Sequence, residues 1–201
     1  MDIKALAQDA APYVVERRHY YHQHPELTGE EKNTRDAIHR DLEVLGITDI
    51  RDMVNCYGLV APIHGGKPGK TIGLRTDTDA LSFQEETGLP FASCEPGKMH
   101  ACGHDMHAAM LLGAAKLLKA HQSELKGTVK LVFQPDEEGF VSVDTLKAAL
   151  RPDTILVSVM MVNNETGAVM PIADMVKAVR RVSPLALFHT DAVQGFLKVP
   201  F

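Results

Sequence analysis

Residues 134–154 read QPDEEGFVSVDTLKAALRPDT, and the fold turns on what this stretch connects. Leading into it, Gly127-Thr128-Val129-Lys130-Leu131-Val132-Phe133 is a β-branched run that predicts a strand. Two adjacent acids, Glu137 and Glu138, stand just past its end. Beyond them, Asp144 to Leu150 predicts a short helix that stops before Arg151-Pro152, because a residue preceding proline is pushed out of the helical region.

Outward in both directions the alternation of strand and helix continues. Towards the N-terminus, HAAMLLGAAKLLKAHQ (107–122) is rich in Ala and Leu and predicts a helix. Apolar runs at 58–63 and 71–75 flank Gly65-Gly66-Lys67-Pro68-Gly69, the pattern of a hairpin or a strand-loop-strand. Residues 2–45 carry apolar side chains at helical spacing, with a break at His24-Pro25 and a stop at Gly46. Towards the C-terminus, 154–159 and 185–189 predict strands and 172–181 an amphipathic helix. This order predicts an α/β fold, and the strand at 128–133 is expected to neighbour the one at 154–159, with 143–150 as the crossover helix.

The chain has 201 residues, of which 45% are apolar, enough to bury a core. Its formal charge of −5 is spread along the sequence, without the basic stripe that a nucleic-acid surface needs. The N-terminus shows no signal-peptide pattern, and no run is apolar enough to span a membrane. The expectation is a cytoplasmic protein with a small-molecule partner and neither nucleic acid nor membrane. Cys56, Cys94 and Cys102 are odd in number and irregularly spaced, which speaks against a disulfide framework.

The chemistry-bearing residues are concentrated in three places. MHACGHDMHAAM (99–110) puts Cys102, His104, Asp105 and His107 within six residues, immediately before the predicted helix. Thiolate, imidazole and carboxylate together suit zinc, or manganese or cobalt where carboxylates dominate, although a short His-rich loop can also be merely solvated. LRTDTDAL (74–81) ends a strand with Asp77 and Asp79, two apart, so that one can face a metal and the other stand behind a ligand and orient it. In the Glu137-Glu138 pair, one carboxylate can bind metal while the other takes a proton from metal-bound water.

RRHYYHQHPELTGEEKNT (17–34), LRTDTDAL, EETGLPFAS (85–93), GKMHACGHDMHAAMLLGAAKLL (97–118) and GTVKLVFQPDEEG (127–139) together resemble the N-terminal part of metallo-amidohydrolases that cleave N-acyl amino acids. These are the hippurate hydrolase, auxin-conjugate hydrolase and N-acetyl-diaminopimelate deacetylase group of the aminoacylase and carboxypeptidase family. The resemblance implies Cys102, His104 and Glu138 as ligands of a divalent metal, zinc or manganese. It also implies Glu137 as the general base, Asp79 as the orienting acid and an N-acyl amino acid as substrate. The family's later histidine ligands have no recognisable counterpart, which leaves Asp77 or His107 as substitutes.

After Gly139 the sequence resembles a different family. FVSVDTLKAALRPDTILVSVMMVNNETGAVMPI (140–172) and PLALFHTDAVQGFLKVPF (184–201) are similar to the middle of a cysteine desulfurase, a pyridoxal-phosphate enzyme of the class V aminotransferase type. The resemblance implies Asp191 as the partner of the pyridine nitrogen, Gln194 as that of the ring hydroxyl, and Asn163 beside the cofactor. Lys198 does not match the family's Schiff-base lysine, so covalent attachment of pyridoxal phosphate is not expected.

The resulting expectation is a fusion over Asp136–Gly139. Residues 1–139 are read as half of an amidohydrolase catalytic domain, and 140–201 as a strand-helix-strand fragment of a pyridoxal-phosphate transferase large domain. The expected activity is amide hydrolysis by metal-activated water. The alternatives are a desulfurase-like cofactor-binding fragment and a non-catalytic fusion fragment with open sheet edges.

Overall fold

A computed structural model of the chain describes residues 2–137, 139, 141–164 and 166–199. The chain divides into two compact units, Met1–Glu137 and Glu138–Phe201. No helix among the described residues is long and apolar enough to cross a membrane.

The first unit opens with α1 (Ile3–Gln23), whose Asp2 cap accepts hydrogen bonds from the N–H groups of Lys4 and Ala5. It stops where the sequence predicts. His24 precedes Pro25, leaves the helical region at φ −124°, and spends its side chain on the Tyr20 carbonyl at 2.7 Å. The second helix, α2 (Lys32–Val44), begins eight residues later and ends at Gly46, whose φ of 77° is the left-handed stop.

β1 (Arg51–Asp52), β2 (Leu59–His64), β3 (Lys67–Asp77) and β4 (Lys126–Gln134) form one sheet in the order β1-β2-β4-β3. Sequence left open a hairpin or a strand-loop-strand for β2 and β3. The structure shows the latter, since both strands pair with β4, β2 antiparallel and β3 parallel. A parallel pair needs a crossover, and α3 (His104–Ala120) supplies it. Between Lys67 and Thr71 the β3–β4 register shifts, opposite Gly127. At φ 79°, and with the place of a Cβ only 1.9 Å from the Lys70 carbonyl oxygen, position 127 admits no side chain.

The core lies on one face of this sheet. Leu59, Ala61 and Ile63 stand opposite Phe133, Leu131 and Val129, and all six are buried against Leu112 and Ala115 of α3, Tyr21 of α1, and Ile38 and Leu42 of α2. Gly113 lets α1 approach α3: a Cβ there would meet Val14 at 2.4 Å. Burying each of the large side chains contributes about 1.5–3 kcal/mol, which makes this cluster the main source of stability in the unit. β3 is one of the two outer strands and is exposed along most of its length, as expected of an open sheet edge.

In the second unit, α4 (Val143–Ala149) is capped by Ser142, and β5 (Leu156–Met160) and β6 (Leu187–Asp191) pair in parallel, with α5 (Ile172–Val182) between them in sequence. Leu146, Val157, Met170, Met175, Val179 and Ala186 form its core. The expected pairing of strand 128–133 with strand 154–159 is not formed. Both edges of β4 are taken by β2 and β3, and β5 pairs with β6 instead.

Candidate metal centre

Because β3 and β4 are parallel and α3 returns between them, the carboxyl ends of both strands and the start of α3 meet at one end of the sheet. That is where α/β folds place their ligands. Asp77 ends β3, Asp79 lies two residues on, His104 opens α3, and Glu137 follows the end of β4.

The helix starts earlier than the sequence predicts. Gly103, at φ 91°, turns the chain into α3, so His104 and Asp105 join His107 in its first turn rather than lying in a loop before it. Asp105 there complements the positive end of the helix. His104 is buried, and both of its nitrogens are directed. Nδ1 lies 2.9 Å from the carbonyl oxygen of Asp79 and 3.2 Å from its Oδ1, while the other carboxylate oxygen of Asp79 accepts from the Thr28 hydroxyl at 2.8 Å. Nε2 faces Oδ2 of Asp77 and Oε2 of Glu137, each 3.8 Å away.

Those two separations are too long for hydrogen bonds. An imidazole nitrogen set between carboxylates is a donor set suited to zinc or manganese. Donor atoms of Asp77, His104 and His107 all lie within 4.8 Å of one another. Charge points the same way. Burial opposes a positive His104, but the Asp79 hydrogen bond and the negative charges of Asp77 and Asp79 outweigh it and push the imidazole up to about 9. The carboxylates of Asp77 and Asp79, set against a buried ring, make this a place that favours a cation. Asp77 stays below its ordinary range although burial works against it, because His107 bonds to it at 2.7 Å and His104 and Arg75 add positive charge.

Glu137 reaches the site through an unusual turn. Asp136 adopts φ 58°, a left-handed conformation that Asp tolerates better than most residues. Its N–H donates to Oε1 of buried Glu31 at 3.0 Å. Sequence reasoning missed Glu31, since nothing in TGEEKNT separates a buried glutamate from a solvated neighbour. It also missed a polar network behind the first turn of α3. Asp105 Oδ2 lies 2.7 Å from His22 Nδ1 and 3.0 Å from Arg18 Nε, and His22 Nε2 lies 3.3 Å from Glu85, which in turn accepts from the Ser93 N–H at 2.6 Å. His100 beside it is buried, with no hydrogen-bond partner on either nitrogen among the described residues, and burial pushes its imidazole down to about 4.

Of the residues singled out in sequence, the structure brings His104, Asp79 and Glu137 together, with Asp77 and His107. Cys102 is exposed, two residues before His104. Glu138 lies outside the described residues. In the second unit, Asn163 is buried and its Oδ1 accepts from the N–H and hydroxyl of Thr166, closing a turn. Asp191 ends β6 exposed and accepts from the Val193 N–H, and exposed Gln194 meets Lys198 at 3.5 Å.

The profile of Peptidase family M20/M25/M40 matches residues 73–181, more than half of the chain. The chain belongs to this family. The M20 match takes in the end of β3, α3 and β4, hence Asp77, Asp79, His104 and Glu137. It also runs through Gly139, where the sequence reading placed a change of family. Among curated relatives, an N-acetyl-L-cysteine deacetylase of Bacillus subtilis is 46% identical over 145 residues, 68% of this chain and 35% of the relative. The IAA-amino acid hydrolase ILR1-like 5 of Arabidopsis thaliana is 45% identical over 135 residues, 67% of this chain and 31% of the relative. A crystal structure of the Bacillus subtilis YXEP protein, described as a dinuclear metal binding peptidase from the M20 family, superposes with a TM-score of 0.62 at 39% identity, covering 82% of this chain and 45% of that one. The chain spans about a third of the length of the curated relatives it matches.

Proposed function

We propose that the chain is a metal-dependent hydrolase of N-acyl amino acids. The observation that carries this reading is the double direction of His104, with Nδ1 held by Asp79 and Nε2 facing Asp77 and Glu137. His104 would hold zinc or manganese with Cys102 and Glu138, and Asp77 and His107 stand as further donors. A divalent ion held by these residues would supply Lewis acidity for the substrate carbonyl and would lower the pKa of a bound water.

Asp79 fixes the ring of His104 and raises its basicity from behind. Glu137 acts as the general base: it takes the proton of the attacking water and passes it to the amine nitrogen as the C–N bond breaks, leaving a carboxylate and a free amino acid. Relatives that carry the names deacetylase and amino acid hydrolase support the substrate class. The test is hydrolysis of a panel of N-acetyl amino acids by the chain freed of metal and then reloaded with zinc or manganese. Turnover that returns with metal upholds the reading, and turnover indifferent to chelation overturns it.

A second reading concerns residues 140–201, since β5, α5 and β6 form a unit with its own core. Asp191, at the carboxyl end of β6, would partner the ring nitrogen of pyridoxal phosphate, with Gln194 and Asn163 near it. Asn163 already spends its Oδ1 on Thr166, so this reading asks for that turn to open. A cofactor absorbance change lost in Asp191→Ala supports it, and no change on adding the cofactor removes it.

A further inference from the structure

Along the outer edge of β3 runs a cleft of about 430 Å³, bounded by Leu74, Met110 and Ala114 on its apolar side and by Arg75, Asp77 and His107 on its polar side. It shares Asp77 and His107 with the group of converging metal donors. Its size falls within the range of small-molecule sites, and an apolar wall with a few convergent polar groups is their usual make-up.

Arg75 is the cation of this cleft. Its Nε donates to Oε1 of Gln134 at 3.0 Å and its Nη1 to Oδ2 of Asp77 at 2.8 Å. Two acceptors on different strands fix the plane of the guanidinium, and its side chain is still 43% exposed. A guanidinium held in this way offers a carboxylate a planar fork at little further entropic cost.

We infer that Arg75 binds the free carboxylate of the substrate and so selects N-acyl amino acids over their uncharged amides. The inference rests on the hydrolase reading for the place of the scissile carbonyl. In such a substrate the carboxylate is separated from that carbonyl only by the amide nitrogen and Cα. A carbonyl at the Asp77–His104–His107 group therefore leaves the carboxylate within the reach of a cation two residues back from Asp77, on the same face of the strand. The apolar wall then receives the amino-acid side chain or the acyl group.

The experiment compares N-acetyl-leucine with N-acetyl-leucinamide on the full chain loaded with zinc, reading binding by calorimetry and turnover separately. The wild-type chain is expected to prefer the acid roughly ten-fold or more, the range that charged hydrogen bonds supply. Arg75→Gln is expected to lose the preference, with the KM for the acid rising at least ten-fold more than that for the amide. Arg75→Lys, which keeps the charge and loses the fork, is expected to fall between the two and serves where the glutamine variant does not fold. Equal losses on both ligands would make Arg75 a prop for Asp77 and overturn the inference, as would a wild-type chain that binds acid and amide alike. Preferential binding without turnover upholds the inference and counts against the hydrolase reading alone.

Discussion

The imidazole of His104 is gripped from behind by Asp79, through both the carboxylate at 3.2 Å and the main-chain carbonyl at 2.9 Å. This is the arrangement by which metal-binding histidines have their tautomer and orientation set. Asp79→Asn keeps the shape and removes the charge. It is expected to lower zinc affinity by about 10- to 100-fold without unfolding the chain, as read by competition with a chromophoric chelator. Unchanged affinity would mean that Asp79 is only part of the packing.

Glu137 is assigned proton transfer rather than structure. Glu137→Gln is accordingly expected to reduce kcat by about 10²- to 10⁴-fold and to leave the metal content as it was. Loss of the metal together with activity would reassign Glu137 as a ligand.

Cys102 precedes Gly103, the turn into α3, and is exposed. If its thiolate reaches the metal bound at His104, cobalt-loaded chain shows a near-ultraviolet thiolate-to-metal band that vanishes in Cys102→Ala. A cobalt spectrum identical in the two chains would leave Asp77 and His107 as the donors that complete the site.

Glu31 makes stability depend on pH. Burial pushes its carboxyl from the ordinary 4.5 up to about 7, against the hydrogen bond it accepts from the Asp136 N–H. The folded chain therefore holds this proton between those values while the unfolded chain has released it. The contribution is fully present below pH 4.5 and is lost as pH rises through 7. Relative to Glu31→Gln, the wild-type chain is expected to lose on the order of 2 kcal/mol between pH 5 and pH 8, allowing for screening. Urea unfolding of the two chains at both values measures this, and parallel pH profiles would show Glu31 to be ionised in the fold.

What the sequence made legible follows from where local chemistry decides structure. The break at His24-Pro25, the stop at Gly46 and the strand-helix-strand of β3, α3 and β4 were readable, because proline, glycine and β-branched residues act on their own neighbourhood. The pairing of β2 and β3 with β4 was not, since a turn-like GGKPG can close a hairpin or merely bend between strands separated by a third. β5 and β6 each begin two residues later than the sequence predicts, for a continuous apolar run has no period to fix its limits. In the site, Asp79, His104 and Glu137 were named from spacing and resemblance. The burial of Glu31, the left-handed Asp136 and the Arg18–Asp105–His22–Glu85 network depend on contacts between residues far apart in sequence, which no local pattern encodes.

The most direct test is the metal content of purified chain, by elemental analysis, compared with that of His104→Gln. About one or two equivalents of zinc or manganese per chain are expected, and their loss in the variant. A chain that takes up no metal, or a variant that retains all of it, would contradict the assignment of His104 and with it the hydrolytic site.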